Sequence, residues 1–222
     1  MFTRVQVVGR GRLGSAVHAR LAGRGLAQDE NNASAPDLIL LCVPDRAIAE
    51  VAQRAPAGPW VAHMSGAVPL SALSPHERRF GLHPLQTFTL GGGAGQLDGA
   101  SAAVTGETAD AREKARRLAD SLGLKPFDLD EDKRVLYHAG AAMASNFLVT
   151  LYRASRQLME AAGAPPEALL PLMRRTIDNG FELTGPIARG DWAVVEAHLA
   201  AIHKDAPELE DLYRAMARAT RP

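Results

Sequence analysis

An apolar run, Val5-Gln6-Val7-Val8, passes without a break into Gly9-Arg10-Gly11-Arg12-Leu13-Gly14, and a helical pattern starts at once with Ser15-Ala16. The succession reads as a strand, a tight turn and a helix N-terminus. Gly9 permits the sharp turn, Gly11 has no Cβ and lets a pyrophosphate approach the backbone, and Gly14 lets helix and strand pack closely. The N–H groups of the helix's first turn lack helical acceptors and, with the helix dipole, favour an anion. A glycine-rich turn with no ligand is the bland alternative, because Gly-x-Gly-x-x-Gly alone is a weak signal. Here it stands between a strand and a helix at the head of the chain, the context a dinucleotide site requires.

The α/β texture continues to about residue 128. Leu13, Ala16, Val17 and Leu21 keep helical spacing, Gly23 and Gly25 close that helix, and Leu26-Ala27-Gln28 allows a very short strand. Asp37 leads a continuous apolar run, residues 38–43, closed by Pro44, the pattern of a buried parallel strand, and Asp45 is placed to cap the next helix. Trp60-Val61-Ala62-His63-Met64, Phe80-Gly81-Leu82 and Ser101-Ala102-Ala103-Val104 read as further strands. A helix over 109–122 follows, and Lys125-Pro126-Phe127 ends this part. Gly91-Gly92-Gly93-Ala94-Gly95 is a surface loop or a lid.

From Asp130 the pattern is helical only. One helix of about 30 residues, about 45 Å long, fits 132–162. Its stretch from Ala139 to Ser145 is small on every side and asks for a close neighbour: a helix, a partner chain or a ligand. Pro165-Pro166 open a second helix running to Leu183, Asp191 caps a third, and Asp205-Ala206-Pro207-Glu208 reads as a capping box before the last. The expected architecture is α/β, with a Rossmann-like parallel sheet in residues 1–128 and an all-α domain in residues 129–222.

The interval between Gly25 and Asp37 is short for such a sheet. Parallel strands need a crossover of about a dozen residues or more, so residues 26–36 cannot hold a strand, a helix and another strand. The second-strand edge is therefore expected to be truncated. Asp29, 20 positions beyond Gly9, is the candidate to bond an adenosine ribose and so favour NAD. Arg10 and Arg12 could instead meet a 2′-phosphate and favour NADP, or be solvated surface; NADP is the leaning, with NAD open.

Composition removes other classes. Lys+Arg and Asp+Glu both number 25, so nothing suggests electrostatic binding of nucleic acid or of an anionic membrane. The single Cys42 has no disulfide partner and no metal-ligand company. No apolar run reaches membrane-spanning length and no signal peptide precedes the first strand, so the expectation is a cytoplasmic protein acting on a small molecule.

Ligands of open α/β sheets bind beyond the carboxyl ends of the strands. The residues there are Val43-Pro44-Asp45, His63-Met64-Ser65-Gly66 and His83-Pro84-Leu85-Gln86. The cofactor set is thus Gly9, Arg10, Gly11, Arg12, Leu13, Gly14, Val43, Pro44, Asp45 and Ser65. Histidine titrates near neutrality and is a natural proton donor, although His63 and His83 could equally be buried polar residues bonded to backbone. On the long helix His138 and Ser145 share a face two turns apart, with Asn146 beside it. These polar groups either pair within the helical domain or face the crevice. Lys133, one turn earlier, reads as solvated, and no metal-ligand spacing or Ser-His-Asp arrangement is present.

The chain resembles the two-domain Rossmann-like NAD(P)-binding proteins whose C-terminal helical domain has no assigned function. The stretches that carry the likeness are Gly9 to Gly14, Val43-Pro44-Asp45, His63 to Gly66, His83 to Phe88, Tyr137-His138-Ala139-Gly140 through Asn146-Phe147, and Leu183-Thr184-Gly185-Pro186 through Asp191. The wider superfamily, 6-phosphogluconate dehydrogenase-like, includes 3-hydroxyisobutyrate dehydrogenases, ketopantoate reductases and pyrroline-5-carboxylate reductases. The resemblance implies a nicotinamide cofactor on the first domain, substrate contacts from the long helix, and a homodimer through the helical domain. Such proteins often use a lysine on that helix, where this chain offers His138, Ser145 and Asn146. The implied activity is hydride transfer between NADP (or NAD) and a carbonyl or imine of a small metabolite, ketopantoate-like 2-oxo acids being one class. His138 is then the acid/base, and Ser65, His83 and Asn146 hold the substrate. A non-catalytic nucleotide sensor or scaffold is the alternative, favoured by the short sheet edge.

Overall fold

A computed structural model describes residues 1–28 and 35–220; Asp29 lies outside them. The chain divides into two compact units, Met1–Ala142 and Met143–Pro222. The last strand ends at Asp128, where the texture was expected to change, yet the first unit takes the following helix with it.

The first unit carries a seven-stranded sheet in the order β2-β1-β3-β4-β5-β6-β7. The strands are β1 (Val5–Val8), β2 (Ala27–Gln28), β3 (Leu38–Leu41), β4 (Trp60–His63), β5 (Arg79–Pro84), β6 (Ser101–Thr105) and β7 (Lys125–Asp128). Its helices are α1 (Arg12–Gly23), α2 (Ile48–Arg54), α3 (Ala109–Leu122) and α4 (Arg134–Ala142). Successive side chains of a strand point to opposite faces. Val5, Val7, Leu38 and Leu40 accordingly enter one core with Val17 and Leu21 of α1 and Leu118 and Leu122 of α3. Ile39, Leu41 and Val61 enter a second core, with Ile48 and Ala52 of α2 and with Leu70 and Leu73.

β2 is two residues long and, among the described residues, nothing flanks it on its outer side, so the truncated edge is real. The sheet is not wholly parallel, which corrects the expectation. β6 runs antiparallel to β5, and β7 is parallel to β6. The connection 85–100 makes only a short 3₁₀ turn, Ala94–Leu97, and supplies no crossover helix to carry the chain back to the starting edge. α3 then provides the crossover from β6 to β7. The glycine-rich segment before that turn is tied down. Gln96 Oε1 accepts from Thr89 N–H at 2.8 Å, and its Nε2 donates to the Gly93 carbonyl at 3.2 Å.

The helix expected over 132–162 is interrupted. α4 ends at Ala142, Met143–Phe147 forms a π-helical turn, and α5 (Leu148–Ala161) resumes the α-helix. The second unit adds α6 (Leu169–Asp178), α7 (Trp192–Asp205) and α8 (Glu210–Ala219). α6 stops at Asp178, short of Leu183, because the chain turns at Gly180 and Phe181, both with positive φ. The expected caps are absent: the side chains of Asp45 and Asp191 make no capping bond, and α7 passes through Ala206 into a proline-led turn, Pro207–Leu209, with no side-chain cap. Few apolar residues of this unit are buried, Val195, Ile202, Ala206 and Ala217 being the set. Among the described residues no helix is long and apolar enough to cross a membrane.

Candidate active site

A cleft of about 390 Å³ opens where β1, β3 and β4 end. Gly9, Arg10, Gly11, Arg12 and Leu13 form one wall, Leu41 to Asp45 another, and Met64 with Ser65 the floor. Nine of the ten residues assigned to the cofactor line it; Gly14 stands behind. Gly9 has φ +98°, and a Cβ there would lie 2.7 Å from the Cys42 carbonyl oxygen. A Cβ on Gly14 would lie 2.1 Å from the Gly9 carbonyl oxygen, so Gly14 is the residue on which α1 meets the turn. A Cβ on Gly11 would meet no atom within 4 Å; the open space at that backbone is the cradle a pyrophosphate needs. No side chain caps α1 and its first turn holds no acidic residue. The amides of Arg12, Leu13 and Gly14 therefore lack helical acceptors. Ser15 braces the turn, its hydroxyl donating to the Arg10 carbonyl at 2.9 Å. Cys42 contributes an apolar surface: its thiol sits 3.5 Å from Met64 Sδ, and burial pushes its pKa up to about 12.

Beyond Ser65, a second group of side chains gathers over Gly66. His83, from the end of β5, and His138, from α4, meet edge to face with ring centroids 5.7 Å apart. A Cβ on Gly66 would lie 2.5 Å from His138 Cδ2 and 3.0 Å from His83 Nε2, so glycine leaves the room these rings fill. Tyr137 Oη and His83 Nδ1 are 2.9 Å apart. Burial, then the charges of His138 and Arg134, hold the His83 pKa down to about 4, against Asp45. Burial pushes Tyr137 up to about 12.

Arg134 organises the base of this group and is only 1% exposed. It donates to the Ser65 carbonyl, to the Val68 carbonyl at 3.1 Å and to Thr105 Oγ1 at 2.9 Å. Its Nε lies 4.0 Å from Glu131, whose carboxylate also accepts from Leu70 N–H at 2.6 Å. One guanidinium thus ties the start of α4, which carries Tyr137 and His138, to the segment after β4 and to β6. Sequence reading missed it, because an arginine after an acidic turn looks solvated. The available signal was Gly81: a glycine inside a strand marks a close approach. A Cβ there would meet Arg134 Nη1 at 2.8 Å and His63 Cε1 at 3.2 Å.

Of the remaining candidates, Ser65 lies on the cleft, but its hydroxyl accepts from Ala67 N–H at 3.2 Å and Val68 N–H at 3.0 Å, so it first shapes its own turn. His63 is fully buried and, among the described residues, neither ring nitrogen has a partner. Burial, then Arg134, hold its pKa down to about 3. Asn146 is exposed on the π-helical turn of the second unit, and Lys133 pairs with its neighbour Asp132 at 2.7 Å. Among the described residues no group of three or more His, Cys, Asp or Glu could hold a metal ion.

Comparison with known proteins follows the same lines. The model of a family described as a domain of unknown function, DUF2520, matches residues 100–220, more than half of the chain. A candidate NADP oxidoreductase from Bacteroides fragilis is similar over 98% of this chain and 97% of its own, with TM-score 0.80 and 21% identity. Protein TM1727 from Thermotoga maritima is similar over 97% and 96%, with TM-score 0.78 and 25% identity. A Streptomyces aurantiacus imine reductase is similar over 98% and 93%, with TM-score 0.66 and 17% identity. These likenesses show a shared Rossmann-type fold with a helical C-terminal part. No curated protein sequence matches the chain.

Proposed function

The chain belongs to the DUF2520 family, and from that premise we propose that it is an oxidoreductase that uses NADP, or NAD, on a carbonyl or imine of a small metabolite. The observation that carries the reading is the cleft at the ends of β1, β3 and β4, with its open backbone at Gly11 and the uncapped head of α1. The donor set fits a dinucleotide: first-turn amides for the pyrophosphate, and Arg10 and Arg12 on the lip for a 2′-phosphate. When bound, the nicotinamide supplies the hydride. The protein supplies orientation and a proton. His138 is the acid/base, giving its proton to the oxygen or nitrogen of the reduced bond, with His83 and Ser65 beside it. Asn146 is the remaining proposed substrate contact.

Calorimetry with NADPH and NADH, followed by turnover on a panel of 2-oxo acids, aldehydes and cyclic imines, tests this. Binding and turnover are expected in the wild type. His138→Ala is expected to keep the dinucleotide affinity and lose turnover by about a hundredfold or more. Turnover surviving in His138→Ala excludes it as the acid; no dinucleotide binding by folded protein removes the whole reading. Binding with no turnover on any member would favour the sensor or scaffold, to which the two-residue β2 edge also points.

The second unit leaves large apolar side chains in solvent. Met143 is 63% exposed and Phe181 71%, with Phe147, Val149 and Leu172 similarly open. A monomer seldom leaves so much apolar surface uncovered. We therefore propose a homodimer through this unit. Light scattering is expected to return twice the 23.6 kDa chain mass, and a single-chain mass at micromolar concentration would refute it.

A further inference from the structure

Tyr137 and His83 are coupled by the 2.9 Å contact between Oη and Nδ1, and among the described residues neither side chain makes another hydrogen bond. Two arrangements are available to a neutral imidazole: the phenol donates to a bare Nδ1, or Nδ1–H donates to the phenolic oxygen. The first leaves one group, the outward-facing Nε2–H, without a partner among the described residues. The second leaves two, the phenolic proton without an acceptor and a bare Nε2 without a donor. An imidazole's bare nitrogen is also a better acceptor than a phenolic oxygen, whose lone pairs are delocalised into the ring. Nε2 then carries the proton, on the edge of a half-buried ring beside Gly66 and His138, where no group among the described residues accepts it.

We propose that Tyr137 is a positioning residue that locks His83 in the Nε2–H tautomer, so that the site presents a neutral N–H donor to a substrate acceptor next to His138. This rests on the reading of the site as an oxidoreductase centre and sharpens its substrate class. A fixed N–H donor needs a lone pair at the reacting atom. A carbonyl oxygen keeps one throughout reduction, whereas the nitrogen of a protonated imine has none to offer. The arrangement therefore fits aldehydes and ketones. Arg134, whose hydrogen bonds go to two carbonyls and a hydroxyl and whose ion pair with Glu131 is a loose 4.0 Å contact at Nε, adds positive potential that suits a developing alkoxide and opposes an iminium cation. Burial, then the charges of His138 and Arg134, also disfavour a second proton on His83, which keeps the ring a donor without charge.

The test is nitrogen–proton long-range NMR on the full chain with ¹⁵N-labelled histidine at about pH 7, His83 being assigned by loss of its signals in His83→Gln. The wild type is expected to show His83 with a bare Nδ1 and a protonated Nε2. Tyr137→Phe is expected to shift His83 toward a mixture of tautomers. It should lower kcat on carbonyl substrates by about tenfold or more while leaving NADPH affinity unchanged. A protonated Nδ1 in the wild type overturns the proposal, as do His83 signals identical in Tyr137→Phe. Faster turnover of cyclic imines than of carbonyls overturns the substrate class. The tautomer is read without catalysis, so an absence of all turnover counts against the enzymatic reading and still leaves the Tyr137–His83 lock decided by the spectrum.

Discussion

Gly14→Ala is expected to lower the melting temperature by about 10 °C and take dinucleotide binding with it, whereas Gly11→Ala is expected to leave melting within about 1–2 °C and remove binding alone. Both glycines sit in the same turn, and the difference is geometric. A methyl on Gly14 would lie 2.1 Å from the Gly9 carbonyl oxygen and 3.0 Å from Cys42 Cβ. Its main obstacle is backbone, which cannot rotate away, so α1 must lift from β1 and β3. Overpacking of this kind costs about 3 kcal/mol, and a chain of this length loses roughly 2–4 °C per kcal/mol. A methyl on Gly11 touches nothing, and its φ of −68° suits any residue. Its only consequence is to fill the space reserved for the pyrophosphate, for which a loss of at least about tenfold in NADPH affinity is expected. Melting curves and calorimetry on the two variants separate folding from binding. Wild-type NADPH affinity in Gly11→Ala would place the phosphates elsewhere.

Much of this was legible because it depends on local rules. The strand-turn-helix at the head of the chain, the helix at 109–122 and the two-residue β2 follow from apolar periodicity and glycine placement, and the structure returns each of them. What escaped depends on partners far away in sequence. Ser101–Thr105 has a strand's composition in either direction, and only the lack of a crossover helix in 85–100 turns it antiparallel. Asp191 and Asp205 have the chemistry of caps, but capping needs a particular backbone angle before the helix, and neither side chain closes that bond. Met143–Phe147 keeps a helical pattern that cannot reveal one wider turn. At the site, His83 and His138 were legible as candidates from strand-end position and helix face. Arg134 was not, because its partners are two backbone carbonyls and a threonine hydroxyl supplied by three other segments. His63 stood at a strand end like His83; burial, which periodicity cannot grade, separates them.

That burial has a thermodynamic consequence in acid. His63 ordinarily titrates at 6.5 and is held down to about 3 in the folded chain, first by burial, then by Arg134, with His83 adding to the effect. Below 6.5 the unfolded chain binds a proton on this ring that the folded chain refuses, so stability rises with pH across the window from about 3 to 6.5 and is level above it. At about pH 5 the ring alone withdraws about 2 kcal/mol, roughly 4–8 °C in melting temperature for a chain of this length. His83, held down to about 4, acts in the same direction. Carboxylates enter only the lower part of the window: Asp37 and Glu107, held below their ordinary 3.8 and 4.5 first by hydrogen bonds from Thr3 and Arg79, give up their share as pH falls below about 4.5, so the interval from about 5 to 6.5 belongs to histidine. His63→Leu removes the titrating group and two unbonded nitrogens together, so it is expected to melt at or above the wild-type temperature at about pH 7.5. It should also lose distinctly less on acidification to about pH 5. Melting both proteins at the two pH values decides the point. An equal acid loss in wild type and His63→Leu would mean that the buried ring is not the source of the pH dependence.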